Sequence, residues 1–261
     1  MPTELRSRQT PAPRGRILAP VALEGVSRTY RPGRGEAVAA LERVSLHAEA
    51  GELLAVVGPS GCGKSTLLEL VCGLQQPDEG RLVCAPAALM PQRDLLLPWL
   101  SAVDNAALAL RIARRPRASA RAQAAALFAE LGLEGFERAR PHELSGGMRQ
   151  RVAFARTLLA GKPVLCLDEP FGALDALTRA EMQEWLERTL AREPRTVVLV
   201  THDVEEAAML ADRVVVLSPR PGRVLTELEV ELPRGHRERT DAAVLAVRER
   251  ALDALGLGGR R

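Results

Sequence analysis

The stretch that decides the fold is Gly58-Pro59-Ser60-Gly61-Cys62-Gly63-Lys64-Ser65-Thr66. It reads G-x-x-x-x-G-K-S between the apolar runs 53–57 and 67–71, which predicts a strand, a glycine-rich loop and a helix in succession. Glycines let backbone N–H groups turn towards an anion, and the helix adds its positive N-terminus. Residues 58–66, hereafter the phosphate loop, are therefore predicted to bind nucleotide phosphates, with Lys64 on the β- and γ-phosphates and Ser65 on Mg²⁺. A glycine-rich turn that happens to hold a lysine is the structural alternative.

The composition is that of a globular chain. Its 261 residues are 46% hydrophobic and 26% charged, with a formal net charge of +3, so there is ample material for a core and too little positive charge to argue for nucleic acid. No apolar run approaches the roughly 20 residues that span a bilayer. The arginine- and proline-rich N-terminus has no apolar segment of a secretory signal. We therefore expect a soluble, cytoplasmic chain.

The four cysteines show neither a C-x-x-C pair nor histidines at zinc spacing; they are Cys62, Cys72, Cys84 and Cys166. Buried or incidental thiols in a reducing compartment are the expectation.

The second half of the chain alternates between apolar runs and helical patterns. The run 164–167 is followed by a predicted helix over 178–192, a strand over 196–200, a helix over 203–212 and a strand over 213–217. This alternation predicts a parallel sheet flanked by helices. The helical stretch from Gln92 to about Ala160 interrupts it as an inserted subdomain, with helices from Ser101 towards Arg111, over 119–131 and from Ser145. Further strands are expected over 21–30, 44–48, 81–83, 88–90 and 223–230, and a last helix over 239–255.

Two acidic residues follow the apolar run 164–167. Asp168 ends that strand at the carboxyl edge of the sheet, where ligands bind in open α/β folds, and is predicted to hold Mg²⁺. Glu169 is the predicted general base for an attacking water. The structural alternative is a solvated turn. Ser145, Gly146 and Gly147 precede a helix and predict a second anion site made of a hydroxyl, amides and the helix dipole.

These motifs, in this order, resemble the ATPase subunits of ABC transporters over residues 21–220. The matching elements are Tyr30 as the adenine-stacking aromatic, the phosphate loop, Gln92, the signature segment Leu144-Ser145-Gly146-Gly147-Met148, Asp168 with Glu169, Ala173-Leu174-Asp175, and the switch residue His202. The resemblance implies an α/β P-loop NTPase core with a parallel sheet, an N-terminal antiparallel β part and an inserted helical subdomain. Met148 replaces the commoner glutamine of the signature, and no loss of activity is expected, because amides and serine do the binding.

The resemblance also implies roles and partners. Glu169, His202, Gln92 and Lys64 are the expected catalytic residues; Ser65, Gln92 and Asp168 are the expected metal ligands; ATP and Mg²⁺ are the expected ligands. In a homodimer, the signature segment of one subunit closes on the nucleotide of the other. Two membrane permease subunits and an external solute-binding protein complete the expected system, at the cytoplasmic face of the membrane and without nucleic acid.

The expected domain division follows from these assignments. Residues 1–18 are predicted to be a disordered tail, residues 19–230 the ATPase domain with its helical insertion at about 93–160, and residues 231–261 a C-terminal helical tail.

The loop Asp94-Leu95-Leu96-Leu97-Pro98-Trp99-Leu100 is unusually apolar. It resembles the importer subgroup that serves nitrate, sulfonate, taurine, bicarbonate and thiamine precursors, although the chain is shorter than that subgroup between Pro77 and Gln92. Leu95, Leu96, Leu97 and Trp99 are predicted to rim a groove for a helix of the permease. The alternative is that they pack inside the helical subdomain.

The leading functional prediction is an ATPase that powers import of a small solute. A soluble ABC ATPase acting on DNA or ribosomes is the second class, but such proteins usually carry two nucleotide domains or long coiled-coil insertions. The signature segment argues against a simple P-loop kinase.

Overall fold

The computed structural model describes residues 21–31, 33 and 35–258. The tail predicted for residues 1–18 lies outside the described residues, as do residues 19–20 and 259–261. Across the described ranges, no helix combines the length and the apolar character that a bilayer span requires.

The described residues form nine strands and eight α-helices. The strands are β1 (Val21–Tyr30), β2 (Val38–Ala48), β3 (Leu53–Val57), β4 (Glu79–Cys84), β5 (Ala87–Met90), β6 (Val164–Asp168), β7 (Thr196–Thr201), β8 (Arg213–Leu217) and β9 (Val224–Glu229). The helices are α1 (Lys64–Val71), α2 (Ala102–Ala106), α3 (Leu108–Ile112), α4 (Arg117–Glu130), α5 (Gly146–Leu159), α6 (Ala176–Arg192), α7 (Val204–Leu210) and α8 (Ala242–Ala254).

The larger sheet has the strand order β5-β6-β7-β3-β8-β9 and is parallel except for β9 at its edge. Both faces are covered, because successive residues of β3 alternate between two buried clusters. Leu53, Ala55 and Val57 join the cluster that includes α5 to α8, and Leu54 and Val56 join the cluster beneath α1 and the smaller sheet. Burial on both faces explains why these strands read as continuous apolar runs. The predicted parallel sheet is confirmed.

The smaller sheet is antiparallel, with the order β2-β1-β4. In β2, Val44, Leu46 and Ala48 are buried while Ser45 and His47 are exposed, as the alternation predicts. The shortened segment between Pro77 and Gln92 still forms β4 and β5.

The inserted segment is helical as predicted, but the single helix expected from Ser101 towards Arg111 is wrong. It is two short helices, α2 and α3, separated at Ala107, where ψ is −3°. A ψ near zero tightens the turn towards 3-10 geometry and redirects the axis. No glycine or proline marks this point, so the sequence carries no signal for the break.

The C-terminal segment packs back onto the core. Val244, Val247 and Ala251 of α8 are buried in the same cluster as α7. The Arg237 side chain, 9% exposed, donates to the carbonyl oxygen of Ala211 at 2.6 Å. Residues 231–258 are therefore held against the large sheet rather than extending from it.

Candidate functional site

A cleft of about 290 Å³ lies at the carboxyl ends of the parallel strands. The predicted site residues that line it are Tyr30, Gln92, Asp168, Glu169 and residues 60, 61 and 63–66 of the phosphate loop. The register brings these strand ends together: Met90 of β5 pairs with Leu167 of β6, and Val57 of β3 pairs with Thr201 of β7. The residues after adjacent strands therefore share one edge, which is where open α/β sheets bind ligands.

The phosphate loop owes its shape to glycine at a left-handed position. Gly63 has φ 106°, and a Cβ there would lie 2.6 Å from the carbonyl oxygen of Ala40. Any other residue would have to move the start of β2. Lys64 Nζ donates to the carbonyl oxygens of Gly58 and Pro59, at 2.7 and 3.1 Å. The loop thus holds its own cation in place.

The first turn of α1 presents unpaired amides to the same cleft. Gly63 caps this helix without a side-chain hydrogen bond, and the first intrahelical bond runs from Leu67 N to Gly63 O at 2.9 Å. The N–H groups of Lys64, Ser65 and Thr66 precede that bond. Together with Lys64 and the helix dipole they form a site that suits a polyphosphate. Gly58, Pro59 and Cys62 of the loop do not line the cleft, and the Cys62 side chain is buried.

Three predicted catalytic side chains are joined through Glu169. Its Oε2 accepts from Gln92 Nε2 at 2.9 Å, and its Oε1 lies 3.1 Å from Nδ1 of His202. The three residues follow β5, β6 and β7, which are adjacent in the sheet. His202 is not among the cleft-lining residues, so the contact with Glu169 is what brings it to the site.

Glu169 has a left-handed backbone conformation that the sequence does not predict. Its φ is +48°, a region that costs a non-glycine residue of order 1–3 kcal/mol at such sites. Its N–H donates to Val200 O at 2.8 Å, and its carbonyl accepts from Gly172 N at 3.1 Å. These bonds hold the carboxylate over the sheet edge, beside Asp168.

Asp168 and Ser65 supply oxygen atoms to the cleft. Burial raises the pKa of Asp168, and the charge of Glu169 acts in the same direction, whereas a hydrogen bond with Ser65 opposes the rise. Gln92, which also lines the cleft, adds an amide oxygen. Hydroxyl, carboxylate and amide oxygens are the donor types that Mg²⁺ takes.

Tyr30 lies at the outer end of the cleft and is 36% exposed. Its hydroxyl group is 3.1 Å from that of Thr66 and accepts from Gln75 Nε2 at 2.8 Å. The guanidinium carbon of Arg28 stands 5.4 Å from the ring centroid, within range of a cation–π contact. These contacts hold the ring beside Thr66 of the phosphate loop.

The signature segment does not reach this cleft. Ser145 caps α5 by accepting from Met148 N at 3.2 Å. Ser145 and Gly146 are exposed, and none of the predicted residues Ser145, Gly146 and Gly147 lines the cleft. The two segments for which the sequence predicts anion binding therefore lie apart within one chain.

Three lining residues were missed by sequence reasoning: Val38, Ala40 and Arg220. Val38 and Ala40 belong to the start of β2, and Arg220 to the turn between β8 and β9. The only available signal was that β8 is followed by a cation between two prolines. The sheet order places β8 beside β3. The turn that follows β8 therefore lies next to the phosphate loop, which follows β3.

The apolar loop divides into buried and exposed side chains. Leu96 is 8% exposed and belongs to the core, so its predicted place on a groove rim is wrong. Leu95 and Trp99 are 60% and 67% exposed. Asn105 is fully buried and holds the loop through two hydrogen bonds with Leu97. Its Oδ1 accepts from Leu97 N at 2.7 Å, and its Nδ2 donates to the carbonyl oxygen of Leu97 at 3.1 Å.

A buried carboxyl group lies just beyond the switch residue. Glu206 on α7 is 7% exposed; Gln183 donates to its Oε2 at 3.4 Å, and its Oε1 has no hydrogen-bond partner among the described residues. Burial raises the pKa of Glu206 to about 7, Asp203 adds to the rise, and Thr201 and Arg179 oppose it. The folded protein therefore binds this proton more tightly than the unfolded chain does.

This shift predicts a pH-dependent stability. The contribution of Glu206 is complete below pH 4.5, declines as pH rises and is lost above about pH 7. Glu206→Gln is expected to raise the free energy of unfolding at pH 8 by up to about 3 kcal/mol, and to leave it unchanged near pH 4.5. Urea unfolding of the variant and the wild type across this range measures the difference. The exposed Glu184→Gln is the control, and a Glu206→Gln variant that parallels the wild type at every pH would refute the assignment.

The chain is similar to known proteins over most of its length. The family profile described as "ABC transporter" matches residues 41–172. An aliphatic sulfonates import ATP-binding protein of Rhodococcus jostii is 45% identical over 240 residues, 89% of this chain and 92% of that protein. A formylaminopyrimidine import ATP-binding protein of Halalkalibacterium halodurans is 44% identical over 193 residues, covering 73% and 78% of the two chains. A taurine import ATP-binding protein of Chromobacterium violaceum is 43% identical over 234 residues, covering 84% and 90%.

A solved structure has the same architecture. The dimeric post-hydrolysis state of the ATP-binding cassette MJ0796, bound to ADP and Pi, matches with a TM-score of 0.74 and 30% identity, over 82% of this chain and 100% of that one. The likeness confirms the predicted fold class.

Proposed function

The chain belongs to the ABC transporter family, and from this premise we infer that it is the ATP-binding and ATP-hydrolysing subunit that powers a membrane importer for a small solute. The observation that carries the proposal is the cleft in which the phosphate loop, Gln92, Asp168 and Glu169 meet. A soluble ATPase acting on nucleic acid or ribosomes is not favoured by any feature of the described residues.

We propose that Glu169 is the general base. It stands at the end of β6, held by Gln92 on one oxygen and His202 on the other. A carboxylate oriented in this way can take a proton from water as the water attacks the terminal phosphate, which contributes about 10²–10⁴ in rate. His202 and Gln92 orient the carboxylate and report the state of the terminal phosphate to neighbouring segments. Lys64 binds the β- and γ-phosphates.

Mg²⁺ fits the oxygen donors of this cleft. Ser65, Asp168 and Gln92 would hold the ion, which would supply positive charge to stabilise the phosphate groups of the nucleotide. No group of three or more His, Cys, Asp or Glu residues that could hold a metal occurs in the part of the chain that the structure describes. This is in keeping with an ion held by few protein ligands and by the substrate's phosphates.

The proposed partners are supported by the dimeric state of the solved relative and by the separation of the two predicted anion sites. Ser145, Gly146 and Gly147 would close on the nucleotide of a second copy across a two-fold axis, so each nucleotide is bound by two chains. We propose that this homodimer attaches to two permease subunits at the cytoplasmic face of the membrane, with an external solute-binding protein. The relatives are named for sulfonates, taurine and formylaminopyrimidine, so the proposed solute is of the sulfonate, taurine, nitrate or thiamine-precursor type.

The experiment is purification of the tagged chain from its native membranes. We expect it to co-purify with a permease and to hydrolyse ATP, with hydrolysis abolished by EDTA and restored by Mg²⁺. Uptake of labelled taurine, alkyl sulfonate, nitrate and formylaminopyrimidine by a deletion strain then identifies the solute. Recovery with nucleic acid or ribosomes in place of a permease would contradict the proposal.

A further inference from the structure

Arg220 is an unpaired cation at the nucleotide cleft. It lines the cleft and is exposed, and its guanidinium has no hydrogen bond or ion pair with any residue that the structure describes. Arg223, three residues later, is instead neutralised by Glu42 at 2.7 Å. The two arginines share one turn, but Arg223 is paired with a carboxylate and Arg220 lines the cleft.

The turn that carries Arg220 is fixed against the phosphate loop. Ser218 Oγ donates to Pro221 O at 2.8 Å and accepts from Arg223 N at 3.0 Å. Gly222 N donates to Ala40 O at 2.9 Å. A Cβ on Gly222 would lie 2.3 Å from the carbonyl oxygen of Cys62. Only glycine permits this approach, so packing fixes the position of the turn against the phosphate loop.

The charges that line the cleft are balanced only with Arg220. Lys64 and Arg220 are the cationic side chains of the lining, and Asp168 and Glu169 the anionic ones. Without Arg220 the protein's own side-chain charge in the cleft would be net negative, and the nucleotide would depend on Lys64 and Mg²⁺ alone for opposite charge. A guanidinium offers a planar fork of donors that matches phosphate oxygens.

On the basis of the proposed nucleotide function, we infer that Arg220 binds the polyphosphate of the nucleotide in the cleft that it lines together with the first turn of α1. The turn between β8 and β9 supplies this binding residue. A direct charge-assisted bond to phosphate is worth about tenfold or more in affinity.

The test measures equilibrium dissociation constants of the full chain for ATP and for adenosine. Arg220→Gln is expected to weaken ATP binding about tenfold and to leave adenosine binding unchanged. Arg220→Lys, which keeps the charge but loses the fork, should fall between Arg220→Gln and the wild type. Arg223→Gln removes the same charge from the same turn and should bind ATP as the wild type does. The melting temperature without nucleotide should be equal in all four proteins.

Unchanged ATP affinity in Arg220→Gln would overturn the inference. An equal loss of ATP affinity in Arg220→Gln and Arg223→Gln would also overturn it, because the effect would then come from the overall charge of the protein. Weaker adenosine binding would place Arg220 on the base and not on the phosphates. Failure of the wild-type chain to bind ATP would instead refute the proposed function on which the inference rests.

Discussion

Replacement of Glu169 by glutamine is expected to lower ATP turnover by about two to four decades while ATP binding survives. Glutamine keeps the length of the side chain and can still bond with Gln92 or His202, which lie 2.9 and 3.1 Å from the two carboxylate oxygens. It cannot take a proton from water. The loss should therefore appear in the chemical step and not in nucleotide affinity.

Single-turnover hydrolysis and a direct binding assay separate these two effects. In the proposed homodimer, the two nucleotides are sandwiched between the two chains. Because hydrolysis no longer opens this dimer, Glu169→Gln should also sediment as a dimer with ATP and as a monomer without it. Glu184→Gln, an exposed acid-to-amide change on α6, should hydrolyse ATP at the wild-type rate. Near-normal turnover in Glu169→Gln would end the general-base assignment, and a dimer independent of nucleotide would contradict the proposed sandwich.

Replacement of Trp99 by alanine is expected to abolish association with the permease and leave the subunit folded. Trp99 is 67% exposed and its neighbour Leu95 60% exposed, on a loop that Asn105 holds from beneath. An exposed aromatic on a fixed loop is a typical anchor for a partner helix. Its loss should cost about 2–4 kcal/mol of binding, or roughly 30- to 1000-fold in affinity.

Leu96→Ala is the matched control, since Leu96 is 8% exposed and packs in the core. This variant should lower the melting temperature by several degrees, because a buried Leu→Ala change costs about 2–5 kcal/mol. Trp99→Ala should leave the melting temperature unchanged. A Trp99→Ala subunit that melts early and, once folded, binds permease normally would show that Trp99 is a packing residue.

The structure shows which parts of the site are local in sequence. The strand, loop and helix around residues 58–66 could be predicted because the apolar runs and glycines that form them are adjacent. Asp168 and Glu169 could be placed at the sheet edge because the end of a strand such as β6 is recognisable from its own residues. Alternation of apolar runs and helices predicted the parallel sheet for the same reason.

Other features depend on which strands become neighbours. Arg220 reaches the cleft because β8 lies beside β3, and Val38 and Ala40 because β2 starts beside the phosphate loop. The pairing of β3 with β8, in which Leu54 lies opposite Arg213, leaves no local pattern in the sequence. Periodicity reports which face of an element is buried and not what covers it.

The sequence by itself determined the motifs that indicate the family, the helices and strands that carry them, and the predicted phosphate-binding chemistry of residues 58–66. Only the tertiary structure decided that Glu169 adopts φ +48° between Gln92 and His202, that Leu96 is buried in the core while Trp99 is exposed, and that Ser145 does not line its own chain's cleft. The physical reason is range. Turn chemistry and apolar periodicity act over a few residues, whereas backbone strain, burial and the sharing of a site arise from contacts that exist only once distant segments have packed.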